Sequence, residues 1–269
     1  MTCTPQHEPT VSELFDLSGR TSLVSGASGH LGGAIARALA EAGSRLVVAS
    51  RDADRAQSVA DALPNPNGVE HCGVAMDQMD ADSVERGFAE AVRQAGRIDV
   101  LVNNGHEGLG ADWTDVTPEQ FTRQLANATA YFQLARLVRN HAVERKGRAS
   151  VIMLGSMYGV VGSYPDAYEG VGPASPAAYQ ALKGGIIQMT RHLAVYWAGD
   201  GVRVNCLSPG PFPPERIDPE MVRRLCTHSP MKRMGLPHEL KGAVVFLAAE
   251  ASSYMTGQNL LIDGGWTAW

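Results

Sequence analysis

The sequence lacks most of the features that mark a membrane, secreted or nucleic-acid-binding protein. Its longest unbroken apolar run, Ala243 to Ala249, falls far short of the roughly 18 to 20 residues that cross a bilayer, so no membrane partner is expected. Met1 to Thr10 is polar, holds two prolines and has neither the basic start nor the apolar centre of a secretory signal. The four cysteines (Cys3, Cys72, Cys206, Cys226) are far apart and form no Cys-x-x-Cys pair. They read as reduced thiols of a cytoplasmic protein rather than as a disulfide frame or a zinc site. The eight histidines are equally scattered, so no metal centre is expected. Positive charge is scarce too: 23 Lys+Arg face 28 Asp+Glu, a formal charge of −5, with no local basic run. That argues against a nucleic acid partner.

What is present is an ordinary globular composition, with 44% hydrophobic and 19% charged residues over 269 positions, long enough for one sizeable core. Short Val-, Leu- and Ile-rich segments alternate with segments of helical period, the pattern of successive βαβ units. Strands are expected at Thr21–Ser25, Arg45–Ser50, Gly68–Met76, Val100–Asn103, Ser150–Leu154, Val202–Ser208 and Asn259–Asp263. They lack strict in/out alternation, as do strands of a parallel sheet covered on both faces. Helices are expected over 31–42, where Leu31, Ile35, Ala38, Leu39 and Ala42 share a face, and near 53–63, 81–95, 118–145, 176–198 and 237–249. The fold class is therefore α/β, a Rossmann-type doubly wound parallel sheet of about seven strands with helices on both faces. A single domain is expected over 16–269, after a loose extension over 1–15. The Pro/Gly-rich stretches at 162–176 and 208–219 read as loops around a site.

Between the first strand and the first helix lies Ser25-Gly26-Ala27-Ser28-Gly29-His30-Leu31-Gly32-Gly33. Glycines there let the chain turn sharply and approach a pyrophosphate, while the free N–H groups of the helix start favour an anion. A tight strand-to-helix connection with a glycine packing contact explains the same residues without a ligand. At the end of the second strand, where an acidic group would bond the ribose of NAD, the chain reads Ser50-Arg51. A hydroxyl and a guanidinium suit a 2′-phosphate, which favours NADP(H) over NAD(H). Asp52, next in line, keeps NAD(H) open.

Tyr179 and Lys183 stand four apart in a helical pattern, on one face and one turn apart. A nearby cation stabilises a phenolate and lowers a tyrosine pKa of about 10, making the phenol a usable acid and base. Ser156 follows the Val151–Leu154 strand at its carboxyl end, where ligands bind in open α/β sheets, and its hydroxyl can bond a carbonyl or alcohol oxygen or simply cap a turn.

In this order of motifs the chain resembles the short-chain dehydrogenase/reductases from Leu17-Ser18-Gly19-Arg20 onward: the glycine turn, Asp77, Asn103-Asn104-Gly105, Asn127, Ser156, Tyr179-x-x-x-Lys183, Asn205-x-x-x-Pro209-Gly210, and Thr256-Gly257-Gln258 leading to Asp263-Gly264-Gly265. The resemblance implies hydride transfer between a nicotinamide and a carbonyl or alcohol carbon. It implies that Tyr179 is the acid/base, that Lys183 lowers its pKa and holds the nicotinamide ribose, that Ser156 orients the substrate oxygen, and that Asn127 anchors a water of a proton relay. Cofactor contacts are implied for Gly26, Ser28, Gly29, His30, Leu31, Gly32, Ser50, Arg51, Asp77, Gln78, Asn103, Gly105, Tyr179, Lys183, Pro209, Gly210 and Phe212. Among these, Asp77 would meet the adenine and Pro209-Gly210 the carboxamide region. It also implies a homotetramer or homodimer, with the tail and the helices near 118–145 and 176–198 at interfaces.

Several departures from the family pattern bear on the substrate. His30 stands where the short branch has its second glycine, and Asn103-Asn104-Gly105-His106 replaces the usual Asn-Asn-Ala-Gly. Between Ser156 and Tyr179 lie 22 residues, about ten more than usual. That insertion contains Tyr158, Tyr164, Asp166, Tyr168 and Glu169. Tyr168 has Gly172 where a lysine would be needed, so Tyr179 is the better match. Aromatic surface and acidic acceptors beside the site suit a polyhydroxylated substrate, with Ser156, Tyr158, Tyr168, Glu169 and Tyr179 as its contacts; packing on a neighbouring subunit is the alternative use of the insertion. Besides an NADP(H)-dependent carbonyl reductase or alcohol dehydrogenase, three readings stay open: an NAD-dependent sugar-alcohol dehydrogenase, an epimerase or dehydratase with retained NAD, and a non-catalytic dinucleotide-binding protein.

Overall fold

The computed structural model describes residues 8–269. Expectations that concern residues 1–7, Cys3 among them, lie outside the described residues. Seven strands form one fully parallel sheet in the order β3-β2-β1-β4-β5-β6-β7: β1 Thr21–Ser25, β2 Arg45–Ser50, β3 Cys72–Ala75, β4 Val100–Asn103, β5 Ala149–Leu154, β6 Val202–Pro209 and β7 Asn259–Ile262. The register runs Ser25 beside Ala49, Val24 beside Val102 and Leu154 beside Leu207. This is the expected fold. Neighbouring residues on a strand point to opposite faces, and both faces are dry. Leu23, Val47, Leu101 and Val151 enter one apolar cluster, and Val24, Val48, Val102 and Ile152 enter the other. That two-sided burial is why these strands read as continuous apolar runs.

The first cluster is covered by α4 (Ala81–Ala95), α5 (Pro118–Glu144) and α6 (Ala177–Trp197), the second by α2 (His30–Glu41), α3 (Ala53–Asp61) and α8 (Lys241–Ala248). Helix starts follow local chemistry. Asp80 caps α4 through Asp82 N and Ser83 N, and Thr117 and Gln120 close a capping box on α5, with Pro118 at its first position. Like α6 after Pro176, α2 after Gly29 has no side-chain cap. Its first N–H groups are left to be satisfied by something other than the chain.

Three boundaries depart from expectation. Val11–Phe15, expected within a loose extension, form a short helix, α1, closed by a Thr10/Glu13 capping box and seated through Phe15 against Phe246, with ring centres 6.3 Å apart. β3 starts four residues later than expected, because Asn65 Oδ1 accepts from Val69 N and Gly68 turns at φ +66°. A helix not expected from the sequence, α7, spans Pro219–His228.

Candidate functional site

β1 and β4 are neighbours although five elements separate them in the chain, so successive crossovers leave the carboxyl end of the sheet in opposite directions at this point. A crevice opens there, as in other doubly wound sheets. It measures about 640 Å³. Every residue expected to contact the cofactor lies on its wall: the β1–α2 turn, the ends of β2 and β4, Asp77 and Gln78 after β3, Tyr179 and Lys183 on α6, and Pro209, Gly210 and Phe212 after β6.

The glycine turn is shaped by close approach. Gly26 sits at φ +67°, and a Cβ there would meet Gly105 Cα at 2.8 Å. A Cβ on Gly32 would lie 2.2 Å from the Gly26 carbonyl. Ser25 and Asn104, given no role from the sequence, clamp this turn to the loop after β4. Ser25 Oγ accepts from Asn104 N at 3.1 Å and from Gly105 N at 3.0 Å, while Asn104 Nδ2 donates to the Ser25 and Gly26 carbonyls. The result is a bare backbone cradle in front of the uncapped start of α2, a fit for a pyrophosphate group.

At the far edge, Arg51 and Arg55 both reach the wall. Arg55, which the motif reading missed, lies in the first turn of α3. The Asp52 carboxylate, which had left NAD(H) open, accepts from Arg55 N at 2.7 Å and caps α3.

Tyr179, Lys183 and Ser156 come together at the inner end. Ser156 neighbours the Tyr179 phenol on the cleft wall, and its Oγ accepts from Tyr158 N at 3.1 Å. Lys183 is 4% exposed; its Nζ donates to the Leu154 carbonyl at 2.7 Å and lies 5.6 Å from the Tyr179 ring centre and 5.7 Å from that of Tyr131. The net effect on the Tyr179 phenol runs against the expected lowering. Burial raises the phenol above its ordinary value, and the neighbouring Ser156 hydroxyl works in the lowering direction. Burial also brings Lys183 down to about 8.

Asn127 stands behind the wall rather than on it. Its Oδ1 accepts from Gln78 Nε2 at 3.0 Å and Glu107 N at 2.8 Å, and its Nδ2 donates to the Glu107 and Gln124 carbonyls at 3.1 and 2.9 Å. Both lone-pair directions and both N–H bonds are thus taken, so the amide has no position left for the expected water.

The expected substrate contacts in the insertion are placed differently. Tyr158 and Tyr168 hydrogen-bond each other at 2.7 Å, and neither they nor Glu169 form part of the cleft wall. Glu169 is exposed, and it is its backbone carbonyl that is used, accepting from Arg224 of α7 at 2.6 Å. The insertion is clasped to α7 further along as well. Tyr164 stacks on His228 with centres 3.9 Å apart, His228 pairs with Asp166 at 3.0 Å, and Tyr164 meets the buried Trp266 edge-on. Asp263 braces the tail carrying that tryptophan, accepting from Gly265 N and from Thr267 N and Oγ.

Comparison with known proteins agrees with this geometry. The family model described as enoyl-(acyl carrier protein) reductase matches residues 26–267. The chain is 34% identical over 266 residues to the galactitol 2-dehydrogenase (L-tagatose-forming) of Cereibacter sphaeroides, covering 95% of this chain and 98% of that protein. It is 34% identical over 268 residues to the gluconate 5-dehydrogenase of Gluconobacter oxydans, covering 95% and 97%. The crystal structure of a gluconate 5-dehydrogenase from Burkholderia cenocepacia in complex with NADP and tartrate superposes with a TM-score of 0.86 at 29% identity, covering 97% of this chain and all of that one. Likeness of that extent, running almost end to end in each pair, makes the chain a member of the short-chain dehydrogenase/reductase family and an oxidoreductase of alcohol and carbonyl carbons.

Proposed function

We propose that this enzyme is NADP(H)-dependent and interconverts a secondary alcohol and a carbonyl on a sugar- or polyol-like substrate, with Tyr179 as the acid and base. The observation that carries the reading is the convergence of the Ser156 hydroxyl, the Tyr179 phenol and the Lys183 ammonium at the inner end of a dinucleotide-sized cleft. The residues fit the cofactor class: a cradle that a single Cβ would fill at Gly32, the uncapped start of α2, and two guanidinium groups where a 2′-phosphate would lie. Asp52 is committed to α3 and does not compete there. Bound in this cleft, the nicotinamide supplies the hydride.

The chain's own part is protonic and electrostatic. As negative charge grows on the carbonyl oxygen, Tyr179 gives up its phenolic proton to it and Ser156 donates a hydrogen bond to the same oxygen. The Lys183 ammonium steadies the phenolate left behind. Asn127 is a positioning residue that ties the Gln78 and Glu107 loops to α5. The substrate class is supported by the relatives, a galactitol and a gluconate dehydrogenase, and by the tartrate in the neighbouring structure. Exposed Val143 on α5 and Val195 and Tyr196 on α6 support self-association through those helices; light scattering that finds only monomer would remove that element.

Tyr179→Phe tests the chemistry. The variant should fold, bind NADPH and lose about 10² to 10⁴ in kcat on hydroxylated ketones. Undiminished kcat would exclude Tyr179 as the proton donor, and turnover confined to hydrophobic ketones in the wild type would exclude the substrate class.

A further inference from the structure

His106 occupies the cleft wall immediately after Gly105, at the place where the family's usual motif has glycine. The ring stands edge-on to Tyr179, with centres 5.5 Å apart and planes at 80°. Behind it, Gln124 of α5, 3% exposed, shares a 3.2 Å hydrogen bond between its Nε2 and His106 Nε2. The Gln124 Oε1 is buried and has no partner.

That orphan oxygen fixes the direction of the hydrogen bond. Turning the amide over would let Oε1 accept from a protonated Nε2, but it would leave both N–H bonds unpaired in place of one N–H and one carbonyl oxygen, and an orphaned buried N–H is the rarer defect. The less costly arrangement has Gln124 donating, so Nε2 is the acceptor and the proton of the neutral ring resides on Nδ1. No hydrogen bond engages Nδ1 among the described residues, and the ring is open to the cleft. Desolvation within the cleft and the Lys183 charge lower the imidazole pKa and favour its neutral form. The backbone beyond it is pinned by Asn127 to Glu107 N and by the Arg123–Glu107 ion pair. A donor on a fixed stem, one ring away from the proton-transfer group, is the geometry of a specificity contact.

We propose that His106 is a specificity-determining residue whose Nδ1–H donates to a hydroxyl or carboxylate oxygen next to the reacting carbon, with Gln124 as the positioning residue that sets its tautomer. This rests on the polyol reading given above. It also gives that reading a residue on this chain that tells a hydroxylated substrate from a plain ketone, since a donor covered by the bound substrate is left unpaired when that substrate lacks the oxygen.

The test compares wild type, His106→Ala, His106→Asn and Gln124→Leu on an α-hydroxy ketone of the sugar series and on a cyclic ketone without hydroxyls, with NADPH saturating. The quantity read is the ratio of kcat/KM for the two substrates. His106→Ala should lower that ratio about tenfold, mainly through KM of the hydroxylated substrate. His106→Asn, whose Nδ2 takes nearly the place of Nδ1, should recover part of it. Gln124→Leu, which removes the orphan oxygen with the donor, should fold and lower the ratio by a smaller factor. An unchanged ratio in His106→Ala, or equal losses on both substrates, overturns the inference and leaves the polyol reading standing. A wild type that ignores hydroxylated ketones overturns the polyol reading itself.

Discussion

Lys183→Met should make the cofactor-free protein more stable while destroying its activity. The ammonium is 4% exposed and holds one hydrogen bond, to the Leu154 carbonyl. Burial brings its pKa from 10.5 to about 8. At pH 7 the lysine is charged both in the fold and in the unfolded chain, so the fold bears the whole desolvation cost, about 3 kcal/mol at 1.36 kcal/mol per pH unit. Methionine keeps the apolar stem and abolishes the charge, at the loss of one hydrogen bond of about 1 kcal/mol. The net gain is about 2 kcal/mol, or roughly 4–8 °C in Tm for a chain of this size. The pH dependence has a definite sign. Because the folded pKa lies below the unfolded one, the wild type gains stability as pH rises from about 8 to 10.5. The variant's advantage is therefore full below pH 8, shrinks across that window, and turns into a small deficit above it. Thermal unfolding without cofactor at pH 7 and pH 10, paired with turnover at pH 7, reads both effects. A variant less stable than wild type at pH 7, or one whose advantage is equal at the two pH values, would refute the reasoning.

Other expectations follow from the cleft wall. Arg51→Ala combined with Arg55→Ala should raise Kd for NADPH about 25-fold, taking about 1 kcal/mol for each solvent-screened contact, and leave NADH little affected; fluorescence titration at low and moderate salt checks it, and an unchanged NADPH/NADH ratio removes the case for phosphate recognition. Gly32→Ala puts a Cβ at 2.2 Å from the Gly26 carbonyl, so the turn must shift; cofactor affinity should fall at least tenfold, and tight NADPH binding by this variant would show that the cradle yields.

The sheet was legible because its strands are dry on both sides, so that Val47-Val48 and Val151-Ile152 announce themselves without alternation. α7 was not. Its buried contribution is little more than Leu225, and the Pro/Gly-rich stretch before it drew the eye toward a loop, although Asp218 followed by Pro219 is a cap and a first-turn proline that mark a start. Within the site, motif order located the glycine turn and the Ser156, Tyr179 and Lys183 group. Arg55 escaped because nothing in its own neighbourhood points toward the cleft; only the packing of α3 brings it there. His106 and Gln124 escaped because their contact joins a loop to a helix 18 positions on. Helical spacing put the ammonium near the phenol and could say nothing of how much water either retains, which is why burial, and not Lys183, dominates the Tyr179 pKa.

The clasp between the insertion and α7 has a consequence for how this enzyme can be altered. Tyr164, Asp166 and the Glu169 carbonyl are matched to His228 and Arg224, partners encoded more than fifty positions downstream. The two segments behave as a single interchangeable cassette. A graft carrying one without the other leaves a cationic and aromatic socket with no plug, so moving the insertion between relatives requires transplanting both together.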